Sequence, residues 1–253
     1  MTRDVLIVGG GVAGLSAGIY TARAGLDALI VDPSSGRTGT DAADGSILER
    51  NASLENYPGF PAGIDARLYL DMVREQADDA GCEFREGRVV DVRPREDDFA
   101  VELADGDELA AIRVIAASWG DVSYLDGVDV ELIDRGSKTY VGVDEHGRTR
   151  VPGLYAAGRI AGRPHQAIVA AGHGAAVALT AIEESDAAFY HDWVAPDGYF
   201  TGRGREVPPG CEEIDDAERR ERERSARERL AERIAEPTDE TPTMHPRVDA
   251  DER

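Results

Sequence analysis

Three glycines near the N-terminus stand at spacings that suit the binding of a pyrophosphate. The sequence Gly9-x-Gly11-x-x-Gly14 follows an apolar run at 5–8 and leads into a helix-like segment. In this arrangement the first glycine permits a tight turn, the second lets the backbone approach the phosphates, and the third lets helix and strand pack closely. The N–H groups at the start of the helix then face the phosphate charge.

An acidic residue completes this unit. Asp32 ends a second apolar segment, 18 residues after Gly14, where a carboxylate can accept hydrogen bonds from ribose hydroxyls. Gly25 is suited to end the intervening helix. Together these features predict a dinucleotide-binding βαβ unit. An inherited fold with an empty pocket is the alternative.

The later segments predict an α/β fold in three layers, Rossmann-like, with a small antiparallel β insertion. Asp65 can cap a helix whose apolar residues step by three and four as far as Gly81. A helix rich in small residues is predicted at about 166–182. Short apolar segments separated by turns predict the remaining strands, at 83–92, 99–103, 112–116, 140–143 and 153–158.

The domain organisation follows from changes in composition. We expect a single nucleotide-binding domain over 1–192, and within it a short connector at 117–139. The Gly- and Pro-rich segment 193–211 is expected to be a lid-like loop, and 212–236 a charged, solvated helix. Residues 237–253 are expected to be disordered.

Composition narrows the classes of function. The net charge is −22, and Lys138 is the only lysine. This resembles proteins of salt-in halophiles, in which molar salt screens self-repulsion; an acidic surface evolved for a basic partner is the alternative. The charge argues against binding to nucleic acid or to an anionic membrane. With no signal peptide and no long apolar run in the sequence, we expect a cytoplasmic protein.

Few residues are candidates for metal or thiol chemistry. The two cysteines, Cys82 and Cys211, do not form a Cys-x-x-Cys pair, and we expect the first to be buried and the second to be a more exposed bystander. The histidines and acids have no convincing metal-ligand spacing, so no metal is predicted. His173 is expected to pack within its helix.

Two blocks of sequence resemble the thioredoxin reductase-like flavoproteins over about 4–183. The first contains the three glycines and Leu54-Glu55-Asn56-Tyr57-Pro58-Gly59-Phe60. The second contains Val151-Pro152-Gly153-Leu154-Tyr155-Ala156-Ala157-Gly158, followed by His165-Gln166 and Ala170-Ala171-Gly172-His173-Gly174.

The resemblance implies an FAD-binding domain with FAD in an extended conformation. It places the pyrophosphate at the glycine turn, the adenosine near Asp32, and the start of the second helix at the carbonyl edge of the isoalloxazine ring. The residues it implies for cofactor binding are Gly9, Gly11, Val12, Ala13, Gly14, Asp32, Asn56, Gly158, Arg159, Gln166, Ala167 and Ile168.

The chain departs from the family pattern in three ways. Members insert a second, nicotinamide-binding domain where this chain has only the connector 117–139, and the redox Cys-x-x-Cys of that domain is absent with it. Arg159 stands where the family has Asp. It could pair with the pyrophosphate as a fork donor or turn to solvent and weaken the cofactor. Trp119 could plug the gap left by the second domain or stack on a ring.

These observations lead to the expected function, an FAD-dependent oxidoreductase that transfers electrons at flavin N5 to or from a directly bound substrate or partner. His165 is the candidate catalytic group, as a proton donor or charge partner, unless it only begins the helix. The alternatives are an inactive nucleotide-binding regulatory module and a protein that binds NAD or ADP through the first unit alone. The resemblance also implies a homodimer, and the electron donor or acceptor is unknown.

Overall fold

The computed structural model of the chain describes residues 1–34, 45–235, 237 and 240–244. These residues contain four α-helices: α1 Val12–Arg23, α2 Ala66–Asp79, α3 Ala167–Glu183 and α4 Asp216–Ile234. The strands are β1 Thr2–Val8, β2 Ala28–Asp32, β3 Glu83–Glu86, β4 Val89–Pro94, β5 Phe99–Leu103, β6 Glu108–Ala116, β7 Leu132–Arg135, β8 Lys138–Val141, β9 Leu154–Ala156, β10 Trp193–Pro196 and β11 Cys211–Ile214. Short 3-10 helices lie at Ile47–Arg50, Ser123–Leu125, Gly158–Ala161 and Thr201–Arg203.

The main sheet combines a parallel part with an antiparallel extension. Strands β3, β2, β1 and β6 run parallel in that order. The second half of β6 pairs in parallel with β9, and its first half pairs antiparallel with β5, which pairs antiparallel with β4. The predicted α/β fold with a small antiparallel insertion is confirmed.

Alternation along β1 explains the three layers. Val5 and Ile7 are buried in a core shared with α1, α2 and α3. Leu6 and Val8 are buried in a second core, shared with the antiparallel strands and the connector. Because successive side chains of a strand point to opposite faces, one apolar strand supports both cores.

The predicted strand 83–92 is wrong as a single element. Its first part, β3, pairs in parallel with β2, whereas its second part, β4, pairs antiparallel with β5. Gly87 and Arg88 separate the two parts. The predicted helix after Asp65 is confirmed as α2, because the Asp65 carboxylate accepts hydrogen bonds from the N–H groups of Arg67 (2.9 Å) and Leu68 (3.1 Å).

The connector 117–139 leaves the sheet after β6 and returns through the β7–β8 hairpin. Its 3-10 helix buries Tyr124 and Leu125 against the second core. The Tyr124 hydroxyl lies 2.9 Å from Ser118 Oγ, which ties this helix to the start of the connector.

Residues 193–211 lie beside the C-terminal end of α1. Strands β10 and β11 pair in parallel, and the Glu213 carboxylate accepts the N–H groups of Gly198 (3.2 Å) and Thr201 (3.1 Å). Asp192, just before β10, forms an ion pair with Arg23 at the end of α1. The nucleotide-binding glycines are at the opposite end of this helix, so the placement gives no support to a lid.

The C-terminal helix α4 is exposed along its whole length. It begins at Asp216 because the predicted residues 212–214 belong to β11. It contacts α2 through ion pairs, including Arg229 Nη1 to Asp79 Oδ2 (2.6 Å) and Arg233 Nε to Glu75 Oε2 (2.9 Å).

Part of the predicted disordered tail is described. The backbone N–H of Thr243 donates to the Glu49 carbonyl at 3.2 Å. Residues 238, 239 and 245–253 of that segment lie outside the described residues. Across the described parts of the chain, none of the helices has both the length and the apolar character that a membrane span requires.

Candidate functional site

A cavity of about 460 Å³ opens at the carboxyl ends of β1, β2 and β6. This is the edge at which parallel α/β sheets bind ligands, and the volume is within the range of small-molecule sites. The wall includes the glycine turn, the end of β2, the 3-10 helix at 47–50 with its flanks, the start of β4, the start of the connector, Tyr124, Arg159 and the start of α3.

The three glycines of the first turn are required for different structural reasons. Gly9 has a φ of +110°, and a Cβ there would lie 3.0 Å from the Ala117 carbonyl oxygen. A Cβ on Gly11 would meet nothing closer than Ser46 Oγ at 3.8 Å, so it would project into open space at the cavity wall. A Cβ on Gly14 would overlap the Gly9 carbonyl oxygen. Tight turn, close ligand approach and helix–strand packing are therefore assigned to separate positions.

The start of α1 is arranged to bind an anion. Gly11 is the N-cap and has no side chain to satisfy the first N–H groups of the helix, and the first intrahelical bond runs from Leu15 N–H to the Gly11 carbonyl (2.9 Å). The N–H groups before Leu15 therefore lack intrahelical acceptors, which is the condition for phosphate binding at a helix N-terminus.

Asp32 lies at the end of β2 and lines the cavity. Its side chain is buried, and the Ser34 hydroxyl donates to its Oδ2 at 2.6 Å. A Cβ on Gly10 would stand 2.7 Å from the same oxygen, so the absence of a side chain at Gly10 leaves room for the carboxylate.

The second predicted block meets the first at the far end of the cavity. Asn56 Nδ2 donates to Gln166 Oε1 at 2.8 Å, which joins residues 110 positions apart. Both residues and Ala167 line the cavity. Gln166 is the N-cap of α3, and its carbonyl accepts the Ala170 N–H at 2.9 Å.

Some predicted cofactor residues lie behind the cavity wall or outside it. Gly14, Gly158 and Ile168 are not among the lining residues in the described part of the chain, whereas the other predicted cofactor residues and His165 are. Gly158 has a φ of +72°, and a Cβ there would stand 2.7 Å from the Ala13 Cβ. Ile168 is 39% exposed.

His173 supports the turn that contains Gly158. Its Nδ1 accepts the Gly158 N–H at 2.9 Å. Burial, with the nearby positive charge of Arg163, lowers the pKa of His173 to about 4, which keeps the ring neutral and able to accept this bond. The sequence showed only a histidine within a helix of small residues, so this role was missed.

Arg159 lines the cavity and packs against two aromatic rings. Its guanidinium carbon lies 5.0 Å from the Tyr140 ring centroid and 5.8 Å from the Trp119 ring centroid. Its Nη1 donates to the Arg163 carbonyl at 3.4 Å. Aromatic faces attract cations electrostatically, so these rings stabilise the charge.

His165 and Trp119 form the wall beside Arg159. Their rings meet edge to face with centroids 4.4 Å apart. Partial burial and the positive charge of Arg159 both lower the pKa of His165. The imidazole is therefore neutral at pH 7 and can exchange a proton there.

Residues of the 3-10 helix at 47–50 and its flanks form another part of the wall. Ser46 and Glu49 form a capping box, in which Glu49 Oε1 accepts the Ser46 N–H at 3.0 Å. Burial raises the pKa of Glu49, and the Asp32 charge adds to the effect. The spacing Ser-x-x-Glu at 46–49 was the available signal. Residues 35–44, which precede this wall, lie outside the described residues.

Among the residues that the structure describes, no group of three or more His, Cys, Asp and Glu side chains is placed so that it could hold a metal ion.

The fold and this cavity define an α/β dinucleotide-binding protein. Residues 4–54 match the model of the FAD binding domain, and residues 46–174, half of the chain, match that of the pyridine nucleotide-disulphide oxidoreductases. The chain belongs to the pyridine nucleotide-disulphide oxidoreductase family, and FAD is the cofactor. The site fits the diphosphate of FAD, because the cradle at Gly11 is open and the first N–H groups of α1 lie beside it.

Curated relatives match part of the chain. A thioredoxin reductase from Aquifex aeolicus is 38% identical over 115 residues, which is 46% of this chain and 33% of the relative. A bifunctional thioredoxin reductase/thioredoxin from Mycobacterium leprae is 36% identical over 135 residues, which is 53% of this chain and 28% of the relative. The match therefore spans about a third of the length of these relatives.

Solved structures show the same fold. A thioredoxin reductase from Gloeobacter violaceus has a TM-score of 0.62 at 20% identity, covering 72% of this chain and 95% of that one. A ferredoxin-flavin thioredoxin reductase from Clostridium acetobutylicum has a TM-score of 0.57 at 17% identity, covering 72% and 97%.

Proposed function

We propose that the protein is an FAD-dependent oxidoreductase of thioredoxin reductase-like type that exchanges electrons with a directly bound substrate or partner. The observation that carries the proposal is the hydrogen bond between Asn56 and Gln166 (2.8 Å) in the wall of the same cavity that the glycine turn and Asp32 line. An extended dinucleotide needs both groups of residues at once, whereas a mononucleotide site would need only the glycine turn and Asp32.

Each part of the cavity then has a task. The N–H groups at the start of α1 bind the pyrophosphate, and Asp32, held by Ser34, accepts hydrogen bonds from the adenosine ribose. Asn56 and Gln166 border the isoalloxazine. Bound FAD supplies electron transfer at N5.

His165 is the proposed proton-exchanging residue. It is exposed, lines the cavity next to Gln166, and has a lowered pKa, so its imidazole is available as a proton acceptor at neutral pH. A His165→Gln variant should therefore reduce turnover and flatten its pH profile while FAD binding is retained.

Electrons are proposed to come from a separate molecule. Between β6 and β9 the chain has only the connector and its short continuation, with no second glycine fingerprint. The two cysteines have no Cys-x-x-Cys spacing, and burial raises the pKa of Cys82 to about 12. The proposal therefore has no built-in NAD(P)H domain and no redox dithiol. We further propose that the protein forms a homodimer and, because its net charge is −22, that it works in a saline cytosol.

The test uses protein reconstituted with FAD in molar KCl. Bleaching of the visible flavin absorption is followed after anaerobic mixing with NADPH and, separately, with dithiol and one-electron donors. We expect slow, non-saturating reduction by NADPH and faster reduction by one of the other classes. Rapid, saturable reduction by NADPH would contradict the proposed intermolecular route.

A regulatory nucleotide-binding module is the second candidate, and the position of Arg159 between two rings favours it. In that case FAD would bind but no donor would reduce it at a useful rate.

A further inference from the structure

The two ends of the connector meet at one side chain. Trp119 follows the end of β6 by three residues, and Tyr140 lies in β8, where the connector returns. The Arg159 guanidinium carbon is 5.8 Å from the first ring centroid and 5.0 Å from the second. Arg159 thus bridges two points 21 residues apart in sequence, one near each end of the connector.

The partners of Arg159 are unusual for this chain. The protein has 50 acidic residues against 28 lysines and arginines, and many of its arginines form ion pairs with carboxylates. Within the described residues, Arg159 forms no ion pair and donates to the Arg163 carbonyl at 3.4 Å. Its charge is therefore stabilised mainly by the two ring faces.

Trp119 connects this contact to the cavity. Its ring lines the cavity and meets His165 edge to face at 4.4 Å. The residue before it is fixed, because Ser118 Oγ bonds both the Asp121 carbonyl and the Tyr124 hydroxyl at 2.9 Å. The indole can still rotate about its own side-chain torsions, and the contacts of its ring are the Arg159 guanidinium over its face and the His165 ring.

We propose that Arg159 is a positioning residue that clamps both ends of the connector and holds the Trp119 indole as the cavity wall beside His165. Substrate or partner access to the cavity then depends on this clamp. An aspartate at the same position would be repelled by the negative faces of both rings, so the clamp requires a cation there. The consequence for access rests on the proposed function, whereas the clamp itself does not.

The experiment uses protein without FAD, so that its result tests the clamp whether or not the protein binds FAD. The chain has two tryptophans, and a Trp193→Phe background leaves Trp119 as the only fluorescent indole. Acrylamide, which is uncharged, quenches tryptophan in proportion to its exposure. The ring is 37% exposed, so complete release would raise the quenching constant by about 2.7-fold.

We expect Arg159→Gln to raise the Trp119 quenching constant by about twofold, and Arg159→Asp to raise it at least as much, up to the limit of about 2.7-fold set by the 37% exposure of Trp119. Arg159→Lys should stay close to the parent, because an ammonium keeps the cation–ring attraction. Tyr140→Leu should give an intermediate rise, and it serves if the charge variants fail to fold.

The matched control is Arg203→Gln, which removes a guanidinium 4.4 Å from the Tyr199 ring, away from the cavity, and should leave Trp119 unchanged. The clamp is overturned if Arg159→Gln leaves the quenching constant unchanged, or if Arg159→Lys behaves as the glutamine variant does. Loss of FAD affinity in Arg159→Gln without a change at Trp119 would likewise overturn it and assign Arg159 to the pyrophosphate.

Discussion

Two glycines in α3 allow a paired test of how that helix meets the nucleotide-binding turn. A methyl group at Gly174 would overlap the Ala13 carbonyl oxygen and stand 2.8 Å from the Ala13 carbonyl carbon. These are backbone atoms that cannot rotate away. A methyl group at Gly172, in the same helix, would meet nothing within 4 Å. The same substitution therefore clashes with backbone atoms at Gly174 and is accommodated without contact at Gly172.

The structure sets the sign and size of each effect. Overpacking of this kind costs about 1–3 kcal/mol, and a domain of this size loses about 2–4 °C in Tm per kcal/mol, so Gly174→Ala should lower Tm by about 2–12 °C. Gly172→Ala relieves the helix-interior penalty of glycine, about 0.5–1 kcal/mol, and should raise Tm by about 1–4 °C.

The assay is thermal unfolding of both variants by circular dichroism in molar KCl, with an FAD titration by flavin fluorescence. Because relief of the clash must move the α1 turn at Ala13, Gly174→Ala should also weaken FAD binding, whereas Gly172→Ala should not. Equal Tm values for the two alanine variants would refute the close contact between α1 and α3.

Three further predictions follow from charges and burial. Arg229→Glu removes the ion pairs to Glu75 and Asp79, so it should detach α4 from α2 and expose the helix to limited proteolysis. The control is Arg224→Glu, whose ion pairs lie within α4, and it should be cleaved at about the rate of the parent protein. Equal cleavage rates for the two variants would contradict docking by ion pairs. An aromatic disulfide reagent at pH 8 should label Cys211 in native protein and spare Cys82, since burial raises the pKa of Cys82 to about 12; two fast thiols would contradict that burial. Burial raises the pKa of Glu49, so its ionisation destabilises the fold as pH rises above about 4.3. A Glu49→Gln variant should therefore have a higher Tm than the parent at neutral pH and lose this advantage at lower pH. A Tm difference that does not change with pH would exclude this cause.

The sequence was informative where structure is determined locally. The glycine turn and Asp32 fall within a single βαβ unit, so their spacing already specified one end of the cavity. The cap at Asp65 is equally local, since its carboxylate accepts N–H groups two and three residues ahead. The glycine turn and Asp32 therefore line one cavity, as their spacing within the unit indicated.

Features that depend on residues far apart in the sequence could not be predicted from local sequence patterns. The segment 83–92 reads as one strand, because nothing in its residues shows that β3 pairs with β2 and β4 with β5. The ion pair that brings Asp192, just before β10, to Arg23 at the end of α1 joins residues 169 positions apart. Arg159 stood out as a charge reversal, but its two aromatic partners lie 19 and 40 residues away and could not be paired from spacing alone.

The central claim is that this cavity binds FAD. The most direct test is the visible absorption spectrum of the protein purified in molar KCl, followed by denaturation and identification of the released cofactor. We expect a yellow protein with FAD close to one per chain, or an apoprotein that takes up FAD to that stoichiometry. A colourless protein that refuses added FAD would contradict it.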